Sequence, residues 1–323
     1  NLPAGVPGKD NNRRASKATC NFMIAKALLN KHIYLGGEPS TEDMNRVIEA
    51  VDAISADGYA LHNGYFDIFD ETKDNNEVLL WTDASYGNRI WMTLHYNQPV
   101  EDQTAGGWNG FSTTAEFYSL FEGDPNVNTP GSGQEERRGF VPTSGDPSQS
   151  GSQIGYGMLI GQQYDYDGTP LQDRAGNPLA FKKEYPGLTG NGETSGVRVI
   201  KYHPTGGSFK PYYILMRYAD AKLMKAEAIL RGGTSSESAT DLVNELRTTR
   251  QATPLDAVTL DDLLDERGRE LYGEGWRRND QIRFGTFSST WDMKDVTDET
   301  RTLFPIPATA LTSNPNLVQN PGY

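Results

Sequence analysis

Apolar residues recur in steps of three and four over two stretches of this chain, and paired glycines divide each stretch. In the first, Ala15, Ala18, Phe22, Ala25, Leu29 and Ile33 share one face of a helix, as a repeat of 3.6 residues per turn requires. Gly36 and Gly37 stop that helix, because glycine takes the left-handed conformation of a helix C-terminus at little cost. Ser40 or Thr41 offers a capping oxygen to the next helix. There Met44, Val47, Ile48, Val51 and Ile54 form the buried stripe before Gly58. In the second stretch residues 213–220 read as the start of a helix, with Leu215, Ala219, Leu223, Ala226 and Leu230 on one face. Gly232 and Gly233 end it, Ala239, Leu242, Val243 and Leu246 face back, and Pro254 prevents continuation. Thr259, with Asp262 three residues on, approximates a capping box for a last helix carrying Leu260, Leu263, Leu264 and Leu271.

Pairs of small-residue-rich helices joined by tight turns are αα-hairpins of tetratricopeptide type, and these are predicted to stack although no strict repeat period is visible. Between the two blocks residues 77–81, 89–94 and 197–202 read as strands and 111–121 contains one short helix. Residues 126–133 and 143–153 are Gly-, Pro-, Ser- and Asn-rich surface loops, the second mobile. The predicted fold class is mainly α: tetratricopeptide-like helical hairpins with a long irregular insertion containing short β-strands. One domain is expected, with a helical hairpin at 1–58, an irregular ligand-binding insertion at 59–210, and hairpins with an extended tail at 211–323. A long insertion on a rigid scaffold is where binding function concentrates.

Composition narrows the chemistry. The 323 residues carry a formal charge of −13, which opposes nucleic acid and docking of the polypeptide on anionic lipid. No run approaches the roughly 18 apolar residues of a spanning helix, and no basic stretch followed by an apolar core opens the chain as a signal peptide would. Cys20 is the single cysteine, so intrachain disulfides and Cys-rich metal sites are excluded. Arg13, Arg14, Ser16 and Lys17 precede it instead of an apolar lipidation box, and it reads as a small residue at a helix contact. His32, His62, His95 and His203 share no metal-ligand spacing. Around Asp165 and Asp167 the EF-hand pattern fails, with Pro170 where Gly is needed and no Glu at the twelfth position. No cofactor is expected, and no phosphate-binding, dinucleotide or nucleophile-elbow motif appears.

Two groupings remain. Arg217, Asp220 and Glu227, with Arg267, Glu270, Arg277 and Asp280, place acids and arginines at helical spacing. Clustered arginine keeps a carboxylate ionised, so buried ion pairs between hairpins are expected here rather than a catalytic acid. The insertion gathers Trp81, Tyr86, Trp91, Tyr96, Trp108, Phe111 and Tyr118. Sugars present apolar C–H faces and hydroxyl edges, so a glycan site wants flat exposed rings with Asn, Asp, Gln or Arg at the rim. Trp81 ends an apolar strand and reads as core. Tyr86, Trp91, Tyr96, Trp108 and Asn109 lie in or beside polar, glycine-rich stretches and are the predicted ligand-binding residues.

The C-terminal third also carries a family likeness. Arg217, Asp220 and Glu227 are followed by Glu266-Arg267-Gly268-Arg269-Glu270-Leu271, then Glu274-Gly275-Trp276-Arg277, Asp280, Arg283 and Phe284-Gly285. The end of the chain adds Phe304-Pro305-Ile306-Pro307, Asn314-Pro315-Asn316-Leu317 and Gln319-Asn320-Pro321-Gly322-Tyr323. This succession, with Gly107-Trp108-Asn109-Gly110, Gly161-Gln162-Gln163 and Gly176-Asn177-Pro178-Leu179 upstream, resembles the SusD/RagB family of cell-surface nutrient-binding lipoproteins of Bacteroidetes. The resemblance implies non-catalytic capture of an oligosaccharide or polysaccharide at the outer membrane, and a SusC-like TonB-dependent transporter as partner. It also implies a membrane link only through an N-terminal lipid anchor absent from this chain, which would correspond to the C-terminal two-thirds of a member. It leaves calcium at Asp165 or Asp167 open, without support from a motif. Peptide capture, as in the RagB branch, and a helical glycoside hydrolase or lyase using Glu227 or Glu270 are the alternatives.

Overall fold

The computed structural model of the chain describes residues 2–83, 90–99, 106–131, 133–142, 154–165, 168–204 and 212–323. Its helices follow the apolar spacing. Helix α1 (Lys17–Leu35) starts at Ser16, whose hydroxyl accepts from the Thr19 N–H while Thr19 Oγ1 accepts from the Ser16 N–H at 2.8 Å, and it ends where Gly36 takes a φ of 68°. Ser40 caps α2 (Thr41–Ala56). The two predicted faces meet: Phe22, Ala25 and Leu29 pack with Met44, Val47 and Ile54, all fully buried.

Helix α3 (Ala115–Tyr118) is a single turn within the middle segment. Helix α4 (Tyr218–Leu230) returns to the first hairpin and places Ala221, Met224 and Ala228 in the same core as α2. At Gly233 a Cβ would come within 2.9 Å of the Ala228 carbonyl oxygen as well as 2.8 Å of Ile48, a backbone clash that glycine avoids. The opposite face of α4, with Ala219, Leu223 and Ala226, packs on α5 (Ala239–Thr249) and α6 (Leu260–Leu271) through Leu242, Val243, Leu246 and Leu263. The Thr259–Asp262 capping box forms as expected. Two shorter helices follow, α7 (Arg277–Arg283) and α8 (Ala308–Ser313). The helical blocks therefore join across the middle segment, with α4 as the central element.

The described strands are short: β1 (Val78–Thr82), β2 (Gly139–Phe140), β3 (Tyr156–Leu159), β4 (Gly161–Gln162), β5 (Ala180–Phe181), β6 (Arg198–Ile200) and β7 (Tyr213–Arg217). They pair antiparallel as β1–β7, β2–β3–β6 and β4–β5.

Three expectations are corrected. Residues 213–217 do not begin α4; they form β7, paired with β1 in a register that sets Ile214 opposite Trp81, and Leu215 is exposed. Aromatic and β-branched residues suit an extended backbone, and Arg217 stays extended at φ −145° before the helix starts. Within 89–94, Ile90–Thr93 forms a 3₁₀ helix rather than a strand, and Arg89 lies outside the described residues. The carbonyls of Met92 and Leu94 accept from Gly110 and Asn109 instead of a neighbouring strand. Cys20 is exposed instead of packed, because the seam runs along Ala18, Phe22, Ala25 and Leu29 and position 20 is turned about 200° from position 18. The same outer face of α1 exposes Met23, Tyr34 and Leu35. The loop expected at 143–153 lies outside the described residues.

Buried charge joins the hairpins. Arg217 bonds Glu77 at 2.7 Å and Glu270 at 2.6 Å, and Arg250 and Arg137 reach Glu270 from other sides. Arg283 holds Glu227 at 2.7 Å, and Asp220 bridges Lys26 at 2.6 Å and Arg267 at 2.9 Å. Burial alone would raise these carboxyls, but the cations outweigh it: Arg283, Arg267 and Arg231 hold Glu227 at about 2, Lys26 and Arg267 hold Asp220 at about 2, and Arg137, Arg269 and Arg247 hold Glu266 at about 2. In the unfolded chain such carboxylates titrate near about 4. Their folded values lie lower, so their stabilisation is fully present above about pH 5 and drains as pH falls toward 2. Urea midpoints are expected to fall gently from about pH 7 to 5, where His32 and His95, kept neutral by burial, are protonated first in the unfolded chain, and to drop steeply below about pH 4. A midpoint unchanged at pH 3 would remove these pairs from the account of stability.

Candidate functional site

Residues 92–99 and 106–113 run side by side as an irregular ribbon. Gly110, Asn109, Gly107 and Gly106 donate their N–H groups to the carbonyls of Met92, Leu94, His95 and Tyr96, at 2.8, 2.7, 3.0 and 3.0 Å. A Cβ at Gly106 would overlap the carbonyl oxygens of His95 and Tyr96, so the two segments touch only because that residue is glycine. Asn109 adopts φ 51°, a left-handed conformation that asparagine tolerates better than most residues. The turn it makes directs neighbouring rings outward: Trp108 is 57 % exposed, Phe111 60 % and Tyr96 40 %.

Beneath the ribbon, Arg198 fixes its shape. Its guanidinium donates to Asn109 Oδ1 through Nε at 3.0 Å and Nη2 at 2.6 Å, and to the carbonyls of Ser195, Gly196 and Glu193. Burial pushes Arg198 down to about 10, which leaves it charged at neutral pH. Asn109 Nδ2 returns a bond to the Glu193 carbonyl at 3.1 Å. The Glu193 carboxylate is shared between Arg174 and His95. Asn97 N–H donates to His95 Nδ1 at 3.1 Å, so Nε2 carries the proton that His95 gives to Glu193 at 2.9 Å. Burial lowers the His95 pKa and favours this neutral form. Burial opposes ionisation of Glu193, but the bonds from Arg174 and His95 prevail and hold its carboxyl below the usual range. Arg174 also lies 4.4 Å from the centre of the Tyr96 ring.

At the other end of the ribbon a cavity of about 640 Å³ opens beside Phe111, with Met92, Phe117, Tyr213, Leu271 and Arg277 among its walls. Ring faces thus stand beside a polar rim of Asn97, Arg174 and Glu193 at one end of the ribbon, with a mostly apolar hollow at the other. Such a surface can stack on flat apolar faces and bond hydroxyl edges. Of the titratable groups of this surface, His95 is fully buried and bonded on both nitrogens, and Glu193 is ionised.

Of the predicted ligand-binding residues, Tyr96, Trp108 and Asn109 come together here. Trp91 sits in the Ile90–Thr93 turn, its side chain outside the described residues, and Tyr86 and Asp167 lie outside them altogether. Trp81, expected in the core, is half-buried at the edge of a buried cluster, edge-on to Tyr212 at 5.0 Å and under Arg13. Sequence reasoning did not single out Phe111, Arg174, Glu193 or Arg198. Phe111 had a signal, since it follows the same glycine-bounded run as Trp108. The others are brought in from a distant segment by folding.

A model of the SusD family matches residues 76–297. The starch-binding protein SusD of Bacteroides thetaiotaomicron is 26 % identical over 356 aligned positions, covering 96 % of this chain and 61 % of that protein. A solved SusD-like protein from Bacteroides fragilis aligns with 100 % of this chain and 68 % of its own, with a TM-score of 0.69 and 21 % identity. Surface glycan-binding protein A from Bacteroides thetaiotaomicron, solved in complex with laminarihexaose, aligns with 99 % of this chain and 66 % of its own, with a TM-score of 0.60 and 18 % identity. This chain thus spans 61 % of the length of SusD. With a family model matched over well more than half of its length, the chain belongs to the SusD family.

Proposed function

We propose that this chain belongs to a non-catalytic cell-surface protein that grips an oligosaccharide on the ledge formed by Tyr96, Trp108 and Phe111. In this reading the protein is lipid-anchored at the outer membrane and passes its ligand intact to a SusC-like TonB-dependent transporter. The single observation that carries the binding assignment is the exposure of Trp108 and Phe111 along one ribbon, above a buried arginine clamp, on a SusD-family scaffold. Exposed indole and phenyl rings lose contact with water only when a ligand covers them, and a rigid clamp lowers the ordering cost of binding. Binding without turnover is supported by the carboxylates: Glu227 and Glu270 are fully buried and ionised against arginines, far from the state of a proton-donating glycosidase acid.

The names of the relatives choose the first ligands to try. Titration calorimetry with maltohexaose and with laminarihexaose, alongside a mixed tryptic peptide pool, is expected to give micromolar binding to at least one glycan and none to peptides. The same glycans incubated with the protein are expected to yield no new reducing ends. Peptide binding with failure of every glycan would sink the sugar assignment, and turnover abolished by Glu270→Gln would sink the non-catalytic one.

A further inference from the structure

A second cavity, of about 760 Å³, lies away from the ledge between the 3₁₀ segment Tyr65–Phe69 and strands β2 and β3. Two properties distinguish it from the mostly apolar hollow beside Phe111. Its walls carry the rings of Phe66 and Tyr156, which pack on each other at 4.7 Å. They also carry the carboxylates of Asp67, Asp70, Glu71, Glu135 and Glu136.

Two of these carboxylates, Asp67 and Glu136, lack a salt-bridge partner among the described residues, whereas Glu135 is neutralised by Arg137 at 2.7 Å. Lys201, a lysine on the wall beside His203, is committed elsewhere: its ammonium donates to the carbonyls of Glu270 and Tyr272 and to Glu274 Oε1 at 2.5 Å. Glu136 Oε1 accepts from the Tyr65 N–H at 2.9 Å, whereas its buried Oε2 has no hydrogen-bond partner among the described residues, and burial raises this carboxyl against the pull of the Tyr65 N–H and Arg250. Gln134, on the same wall and only 6 % exposed, donates to the Gly139 carbonyl but leaves Oε1 unpartnered. Buried acceptors without donors cost stability unless something fills them. The field they create reaches the ring beside them: burial first, then the charges of Glu136 and Asp67, raise the Tyr156 phenol.

Ring faces attract cations, and carboxylates at the edge of those faces bond N–H donors. From the aromatic pair, the unpaired Asp67 and Glu136 and the orphaned Gln134 acceptor, we infer that this cavity is a second binding site, selective for a ligand bearing an ammonium or guanidinium group. The cationic head would lie against Phe66 and Tyr156 and donate to Asp67; Glu136 Oε2 and Gln134 Oε1, closed to water in this structure, would accept further N–H groups once their side chains turn toward it. An amino sugar or a basic side chain of a peptide supplies the same chemistry. Either would bind whether or not a neutral glycan occupies the ledge.

Calorimetry in 150 mM salt, about the physiological range in which exposed charges are largely screened, separates the sources. The probes are a glucosamine trimer, its fully N-acetylated counterpart, the tripeptide Gly-Arg-Gly and its citrulline analogue. At least one cationic probe is expected to bind tenfold or more tightly than its neutral twin; which one does so identifies the source, and both doing so supports the shared chemistry. Glu136→Gln and Asp67→Asn are each expected to weaken that probe by about tenfold while leaving thermal melting and any neutral-glycan affinity unchanged. Glu42→Gln, an exposed acid on α2, serves as the control for the overall negative charge and is expected to change nothing. Equal binding of cationic and neutral twins, no binding of any probe, or equal weakening by Glu42→Gln and Glu136→Gln would each overturn the inference.

Discussion

Glu270→Ala is expected to lower the unfolding free energy by about 3–5 kcal/mol, the range seen when one partner of a buried ion pair is removed. Three guanidinium groups converge on this carboxylate: Arg217 at 2.6 Å, Arg250 at 3.1 Å and Arg137 at 3.2 Å. All four side chains are essentially without solvent contact. Without Glu270 the three cations keep Glu77, Glu266 and Glu135 as partners, but their mutual repulsion is no longer offset at the centre. The effect would cross the molecule, since Arg217 belongs to β7, Arg250 to the end of α5, and Arg137 to the 3₁₀ turn Glu136–Arg138. Glu270→Gln keeps the volume and two of the acceptor directions, so a smaller loss is expected. The exposed pair Arg46–Glu49 supplies the contrast: Glu49→Ala is expected to cost less than about 0.5 kcal/mol. Urea unfolding followed by circular dichroism at pH 7 measures all three. A loss below about 1 kcal/mol for Glu270→Ala would mean that the arginines find water or other acceptors on their own.

What was legible in the sequence was what local rules dictate. The faces of α1, α2, α5 and α6 follow from the period of their apolar residues, and Gly36, Ser40 and Thr259 mark boundaries through caps that need only neighbouring residues. The acid–arginine alternation also told its purpose, because an arginine beside a carboxylate at helical spacing has few other uses. Elements defined by distant partners were not legible. Residues 213–217 carry an apolar pattern that suits a helix or a strand, and the choice was made by β1, which lies far upstream in the chain and pairs with them. The 90–93 segment reads as a strand by composition, yet its carbonyls are claimed by the glycine-rich run that folds back along it. The site was half legible for the same reason. Glycines flanking Trp108 announced a ring held out from a loop, whereas Arg198 reaches Asn109 only through the fold. Aromatic content alone could not sort the rings: Tyr118 is buried, while Phe111, seven residues earlier in the same polar run, is among the most exposed.

Trp108→Ala is expected to weaken the tightest-bound glycan by about tenfold or more, equivalent to about 1.4 kcal/mol or above, because a stacked aromatic ring is the type of contact that dominates small interfaces. Melting should be unaltered, since a ring 57 % exposed contributes little to the folded state. Phe111→Ala, at the mouth of the adjoining cavity, is expected to act in the same direction but less strongly, a phenyl ring offering a smaller face than an indole. Asn109→Ala should behave differently. It removes the acceptor that Arg198 holds at 2.6 Å and places alanine at a φ of 51°, so affinity and melting temperature are expected to fall together. That split distinguishes residues that touch ligand from one that shapes the ledge, and calorimetry combined with thermal melts reads both. Retention of full affinity by Trp108→Ala and Phe111→Ala alike would show that the exposed rings are not what grips the sugar, and the glycan would then have to be sought elsewhere on the molecule.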